Sequence, residues 1–587
     1  MQEAWTPTFS AADLVEDHPK VFRSGGRQVV LFRLPGGGVH AVDNRCPHEG
    51  YPLVQGYVKG CVLTCAWHNW KFDLRDGRCL MGEEDVRGYP VRVRGDRIEV
   101  DLADPDPAAE IEKTSASLDT ALREYQMGRV ARDVVRLLKL GVSPEALVMK
   151  GAAWDGMLGP YGPGHALPLA ADALRFLGRY RGERAALPIL HVLDQAALPN
   201  TRRSRRPGAD PVDPGSDPAA AGARLFDLAE AEETEAAEGF LRGALRKGWG
   251  RDVVEPWLYK LCAAHFLDFG HALIYQVKVF DLLDAVGWDG AEDLLAAHLV
   301  GIVASTREDT LPPWESFRRR LEGLAPELPG IYGMQADSGA VRSGDGRAFM
   351  AAVLDGTGKE SLDAVEDALR RGVPLDRVVD RLALAASERI LRFNTSIDAD
   401  PTVQEGWLDV THLLTFANAL RHAVARYRDP DVLRLVFQSA RFINKARPLD
   451  MPEGERTATS RGEADVTAVM EAVARKDAGS AVAGAAVLLD DGRAEDLEES
   501  LMDFAVSDPA VQPIFVAHVI KTTVAAWEEF RALKRNRPLP ETFGPAHPVL
   551  ALVRFAASPL TECSVRRMAH EAVRFVADGK VPRSLTD

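Results

Sequence analysis

Residues Cys46–Leu74 read CPHEGYPLVQGYVKGCVLTCAWHNWKFDL, and this stretch decides how the first part of the chain folds. One residue separates Cys46 from His48, sixteen residues follow, and two residues separate Cys65 from His68. A Cys-x(1,2)-His pair sits on a tight loop, so two such loops can offer two thiolates and two imidazoles to one centre. Two chemistries accept that donor set. One is an iron-sulfur cluster in which imidazoles replace two of the thiolates. The other is a structural zinc ion, which also takes Cys2His2 ligands.

Working outward, the flanking text is strand-like. RQVVLFRL and HAVD alternate, as does YPVRVRGDRIEVD, and glycine-rich turns such as PGGG and RGD punctuate them. Residues 1–105 therefore read as a small all-β unit. LADPDPAAEIEK follows and reads as a linker over 106–117. The β unit resembles the Rieske [2Fe-2S] ferredoxin-type family over 1–105. Every ligand position is matched, and WHNWKFDLRDGRC and GYPVRVRGDRIEV are similar to that family's text. The resemblance implies a [2Fe-2S] cluster with Cys46 and Cys65 on one iron and His48 and His68 on the other. Its four-ligand spacing favours the cluster over zinc. Asn69 departs from the family, which usually has glycine there. Gly50 and Ala66 stand where the respiratory type carries an extra disulfide, so the disulfide-free soluble type is expected.

The chain has 587 residues, too many for one core, and 46% of them are hydrophobic. The net charge of -15 argues against a nucleic-acid partner, and the one basic run, Arg202 to Arg206, lies in a Pro-, Gly- and Asp-rich loop. The first residues carry neither a basic nor an apolar signal segment, and no apolar run of about 18 residues follows. No membrane association and a cytoplasmic location are the expectation. Cys61, Cys79, Cys262 and Cys563 are expected as reduced thiols.

From residue 118 the texture changes to 3.6-period amphipathic segments, so a large all-α domain is predicted. Four of its segments line up: GHALPLAADALRFL at His165, GHALIYQVKVFDLL at His271, THLLTFANALRHAV at His412 and AHVIKTTVAAWEEF at His518. Successive histidines are 106, 141 and 106 residues apart. The pattern predicts an internally duplicated, pseudo-symmetric helical repeat, with one half at 118–332, a linker at 333–350 and a second half at 351–587. Residues 201–222 and 451–463 read as further loops. The repeated His-x-Leu helices are similar to questin-oxidase-like helical proteins, a likeness that carries no residue assignment.

Four equivalent histidines suggest a shared metal centre, with His165, His271, His412 and His518 as donors. Each also has a plainer reading, as a capping or core residue. Asp268 and Asp409 each precede one of these histidines by three residues, which places carboxylate and imidazole on one helix face if the stretch is helical. The alternative is that each aspartate caps its helix. His265 and Glu388 end the preceding helices, and His191 and His298 occupy equivalent places on the following ones. This mixture of nitrogen and oxygen donors suits iron or manganese, in a mononuclear or dinuclear site. A haem between paired histidines stays open. Trp154, Trp257, Tyr275 and Phe416 are candidates for the walls of a substrate pocket. The iron motif of ring-hydroxylating Rieske oxygenases does not recur here, since Gln276 and Ala417 stand where its last histidine would be.

The function expected is that of an oxidoreductase, an oxygenase in particular. An external reductase or ferredoxin would supply electrons through the [2Fe-2S] cluster to a second iron centre acting on a small organic substrate with O2. The alternative is a redox-sensing or electron-transfer protein whose helical domain is a binding scaffold.

Overall fold

The computed structural model describes residues 5–336, 346–452, 465–536, 543–560 and 563–580. It divides into two compact units, Met1–Val142 and Ser143–Asp587. Half of the 333–350 linker and most of the 451–463 loop lie outside the described residues, and the described ends of the former, 333–336 and 346–350, are helical.

The first unit holds three small antiparallel sheets. One orders β1 (Trp5–Ser10), β11 (Arg97–Asp101) and β10 (Val91–Arg94), and another orders β2 (Lys20–Ser24), β3 (Arg27–Arg33), β4 (Val39–Asp43) and β9 (Gly88–Tyr89). The third is a meander of β5 (Tyr57–Lys59), β6 (Val62–Thr64), β7 (Lys71–Asp73) and β8 (Cys79–Met81). Strand β3 is central because its alternation is apolar on both faces. Val30 and Phe32 join a core with Leu53, Leu63, Phe72, Cys46 and Cys65, whereas Val29 and Leu31 join another with Tyr89, Ile98 and Val100. The RGDR turn closes the β10–β11 hairpin through Gly95 and Asp96, with Arg94 opposite Arg97 and Gly95 at φ +65°.

The expected linker at 106–117 is instead helix. Asp106 accepts the Ala109 N–H, Pro107 takes the first helical position, and α1 runs from Pro107 to Arg123. The Asp-Pro composition that looked like a linker is a helix start signal. Helix α2 (Met127–Lys139) packs against α1.

The second unit is helical. At its centre stand α3 (Ala166–Leu177), α4 (His271–Val286), α5 (Trp407–Arg426) and α6 (Pro513–Arg535), each packed against the next around a closed ring. They are buried on nearly all sides, as in Ala272–Phe280 of α4 and Val410–Leu420 of α5, so helices apolar all round form the innermost layer. Further helices flank them: Pro144–Leu158 and Ala186–Ala197 lie on α3, Ala291–Ala304 on α4, Leu375–Arg392 and Val432–Lys445 on α5, and His547–Ala556 on α6. Within the ring, residues 106 apart face one another at four places: His165 and His271, Asp172 and Lys278, His412 and His518, and His422 and Glu528. No described helix is long and apolar enough to cross a membrane.

Candidate metal centres

The first centre sits where the β4–β5 and β6–β7 connections meet. Each connection turns in the same way. The Gly50 N–H donates to the Cys46 carbonyl at 2.8 Å with Gly50 at φ +76°, and the Asn69 N–H donates to the Cys65 carbonyl at 3.2 Å with Asn69 at φ +60°. Both loops thus close on a left-handed residue. Asparagine is the commonest non-glycine residue to adopt that conformation, which is why it can stand in the glycine position. Cys46 and Cys65 are buried beneath, while His48 and His68 lie above towards solvent. The two imidazoles present Nδ1 to Nδ1 at 3.1 Å, and Trp70 stacks on His48 at 4.7 Å.

Burial, with a smaller upward contribution from the adjacent Cys65, pushes the Cys46 thiol up to about 12. A thiolate in that position therefore needs a metal to hold its charge. Two buried thiols below and two facing nitrogens above fit a mixed-ligand [2Fe-2S] cluster.

The α2 helix braces this centre from behind. The Arg132 guanidinium donates to the His48 carbonyl at 3.1 Å and to buried Glu84 at 2.7 Å, and Arg136 reaches the other Glu84 oxygen at 2.7 Å. Nothing in the spacing of the ligand motif announces this brace.

The second cluster of donors lies inside the four-helix ring. His165 caps α3, His271 opens α4, and His412 and His518 sit inside α5 and α6, one turn or more from their starts. The rings form a closed circuit, with centroids 5.0 Å apart for His165–His271, 4.4 Å for His271–His412, 4.8 Å for His412–His518 and 5.1 Å for His518–His165. The facing atoms are Nε2: 3.3 Å separates His165 from His271, and 3.1 Å separates His412 from His518. One nitrogen from each of His165, His271 and His412 lies within 4.8 Å of the others.

Hydrogen bonds behind the rings fix two of the tautomers. His271 Nδ1–H donates to the Asp268 carbonyl at 2.6 Å, and His518 Nδ1–H donates to the Ile514 carbonyl at 2.7 Å. Both leave an Nε2 lone pair aimed at the shared centre, the arrangement that metal-bound imidazoles adopt. Burial, followed by the charge of Lys521, lowers His271 to about 3, and the other three imidazoles are held well below their ordinary value with burial as the largest cause. All four are neutral donors.

Tyr275, one turn beyond His271, places its ring 5.3 Å from that imidazole and 6.1 Å from His165. Lys521 is equally close to the cluster in sequence, one turn beyond His518. It is buried with no hydrogen-bond partner for Nζ among the described residues, and burial brings it down to about 7. Sequence reading passed over it because a lone lysine in an apolar helix carries no motif.

The other expected donors stand elsewhere. Asp268, Phe269 and Gly270 are three consecutive left-handed residues at φ 41°, 52° and 82°, so Asp268 is off the α4 helix and its carboxylate accepts the Thr306 N–H at 2.9 Å. Only its carbonyl serves His271. The Asp409 carboxylate accepts the Gly406 N–H at 2.8 Å and so caps α5, where burial raises it to about 6. His265 lies between Asp309 at 3.0 Å and Glu230 at 3.1 Å. Burial opposes its charge, but the two carboxylates hold its pKa above the ordinary range. Glu388 pairs with Arg392 at 2.7 Å. His298 bonds the Gln276 amide oxygen at 2.9 Å, and His191 bonds the Val506 carbonyl at 3.1 Å. Each satisfies a local charge or core polar group.

Of the wall candidates, Tyr275 stands at the cluster, and Phe416 packs on Gly270 and Phe266. Trp257 packs against Gly222 and Trp249 instead. A cavity of about 700 Å³ opens nearby. Its lining includes Phe269, two residues before His271, and Asp409, three before His412, with Phe442, Arg441 and Lys445.

A model of the Rieske [2Fe-2S] domain matches residues 4–90, and no family model matches the remainder. The 4beta-methylsterol monooxygenase of Methylococcus capsulatus is 38% identical over 97 residues, 15% of this chain and 26% of that protein. The ferredoxin component of the naphthalene 1,2-dioxygenase system of Pseudomonas aeruginosa is 27% identical over 105 residues, 18% of this chain and 100% of the relative. Among solved structures, the ferredoxin of carbazole 1,9a-dioxygenase from Nocardioides aromaticivorans is 28% identical over 17% of this chain and 99% of that one, with a TM-score of 0.16. The likeness to the monooxygenase spans about a quarter of that relative's length. With paired ligand loops of matching geometry on a small β unit, and the family match covering both loops, residues 4–90 form a Rieske [2Fe-2S] domain.

Proposed function

We propose that this protein is a Rieske-dependent oxygenase in which His165, His271, His412 and His518 hold a catalytic iron, and that the chain's two helical halves are duplicates of one another. The observation that carries the reading is the closed circuit of four neutral imidazoles, with facing nitrogens 3.1 and 3.3 Å apart. Donor atoms around a tetrahedral ion at about 2.0–2.1 Å lie roughly 3.3–3.4 Å apart; the two facing pairs are near that spacing, and His165, His271 and His412 each bring one nitrogen within 4.8 Å of the others. Without an ion each facing pair can share one proton, His165 Nε2–H donating to His271 and His412 Nε2–H to His518, and this leaves the His412 Nδ1 without a partner among the described residues. The same spacing favours a bare ion over a haem, for no flat slot separates the paired rings.

Cys46, Cys65, His48 and His68 are the proposed cluster ligands, and the cluster supplies electrons singly. Hydroxylation of a substrate C–H bond consumes O2, two electrons and two protons and releases one water, so an external reductase or ferredoxin must deliver two electrons per turnover. Relatives of the Rieske domain named as monooxygenase and as ferredoxin component support this class of chemistry. The cavity bordered by Phe269 and Phe442 is the proposed seat of a small organic substrate.

Anaerobic metal quantification of the full-length protein, paired with electron paramagnetic resonance, tests the reading. More than two irons per chain are expected. The His271→Ala/His412→Ala double variant should lose the excess by at least about 100-fold in affinity, since even outer-layer partners of a metal ligand are worth about 10–100-fold, and should keep the Rieske signal. Iron fixed at two per chain, with no other metal present, would favour the binding-scaffold alternative.

A further inference from the structure

The family match ends at residue 90, yet the first compact unit runs on to Val142 and takes in the α1–α2 hairpin. This added hairpin carries a ladder of charges. Arg129, Arg132 and Arg136 stand three and four residues apart on one face of α2. Arg132 Nε donates to Glu84 Oε2 and Arg136 Nη1 to Glu84 Oε1, both at 2.7 Å. Arg136 Nη1 also donates to Asp133 at 2.7 Å, and Asp133 accepts the Ser117 hydroxyl of α1 at 2.6 Å. The same hydroxyl accepts Arg129 Nε at 3.0 Å. Glu84 is 6% exposed and Asp133 1%, so the ladder is anchored on carboxylates that water screens little.

The end of the ladder that meets the cluster loop is a cation. Arg132 Nη1 donates to the His48 carbonyl at 3.1 Å. The imidazole of the same residue is stacked by Trp70 at 4.7 Å, so His48 is held at its backbone by α2 and at its ring by the β unit. Reduction of a cluster adds one negative charge to it. A cationic donor bonded to a ligand residue withdraws electron density and stabilises that added charge, and second-layer partners of this kind tune a metal centre.

Resting on the reading of Cys46, Cys65, His48 and His68 as the cluster ligands, we propose that Arg132 is a positioning residue that acts through the His48 carbonyl to raise the reduction potential of the cluster. The α1–α2 hairpin is the frame that holds it there, through Glu84, Arg136 and Asp133.

Potentiometric titration of the full-length protein, followed by the paramagnetic signal of the reduced cluster, tests this. Arg132→Met should disfavour reduction by about tenfold, a fall of about 59 mV for a one-electron couple. The double variant Arg132→Met/Glu84→Gln removes one charge of each sign and leaves the net charge unchanged. Its potential should still lie below the wild type, because the contact with His48 is gone. A purely structural Arg132 would lower the melting temperature and leave the potential at the wild-type value. That result in Arg132→Met, or a double variant at the wild-type potential, overturns the proposal. Should Arg132→Met fail to fold, Arg132→Lys decides, for it keeps the charge without the planar fork that reaches Glu84 and His48 together. A lowered potential in that variant supports the proposal, and an unchanged one overturns it. A wild-type protein without any Rieske signal defeats the ligand reading itself, and the proposal with it.

Discussion

The proposed donors of the Rieske domain all come from one stretch, Cys46 to His68, held on two loops that each close on themselves. The helical unit's imidazoles are gathered from His165 to His518, one from each of four helices. In the loops the nitrogens that meet are Nδ1, and the rings lie towards solvent. In the bundle they are Nε2, His412 and His518 are buried with His165 and His271 half-buried beside them, and two rings are oriented by carbonyls of their own chain segments. A centre near the surface on short loops suits exchange of electrons with a docking partner. A centre inside packed helices suits chemistry from which water is kept away.

The largest effect that would break or sharpen this contrast comes from Cys65→Ser. Cys65 lies in the core of the first unit and has no role in the helical ring. The variant should lose the Rieske optical and paramagnetic signals entirely while retaining the metal proposed for the helical unit. Loss of both metals together would show that the two centres are built interdependently.

Acidification should separate them next. Burial lowers His271 from 6.5 to about 3 and the other three bundle imidazoles in the same direction. Each therefore binds its proton more readily in the unfolded chain. Their contribution to stability is complete above about pH 6.5 and is lost as pH falls from there towards 3. His265, raised by Asp309 and Glu230, works in the opposite sense, and so do the buried carboxylates Asp155, Glu308, Asp172, Asp380 and Asp409, which burial raises to about 6–7. Urea denaturation of metal-free protein, monitored by helical circular dichroism, should therefore show the wild type losing stability relative to the His271→Ala/His412→Ala variant as pH falls from 7 to 4. A difference between the two that does not change with pH would mean that these imidazoles are solvated rather than enclosed.

These differences also explain what could be read in advance. A contiguous ligand motif fixes its own geometry, so the first centre was visible in residues 46–68 alone. The bundle histidines were visible only through their repeat, because equal spacing puts equal side chains at equal heights on paired helices. Their expected carboxylate companions were misplaced for a local reason. A three-residue spacing places side chains together only on a helix, and Asp268 occupies a left-handed turn instead. Arg132 stayed hidden because its partners, Glu84 and the His48 carbonyl, lie 48 and 84 residues back along the chain, and only three-dimensional packing brings them to it. The stretch at 107–117 was misread because Asp-Pro marks both linkers and helix starts, and only the Asp106 cap decides between them.

The smallest expected effect concerns the left-handed residue that closes each Rieske loop. Gly50 and Asn69 hold corresponding positions at φ +76° and +60°. A left-handed conformation costs most residues roughly 1–2 kcal/mol, whereas glycine escapes that cost and asparagine bears it better than most. Asn69→Gly should therefore change unfolding free energy by only a few tenths of a kcal/mol, its backbone relief offset by greater freedom in the unfolded chain. Asn69→Ala should lose about 1 kcal/mol. The loss should come with a shifted paramagnetic spectrum, because strain at Asn69 is transmitted to His68 beside it. Thermal melts of the [2Fe-2S]-loaded protein would measure both. Equal stability of the alanine and glycine variants would show that the second loop, unlike the first, does not depend on its left-handed closure.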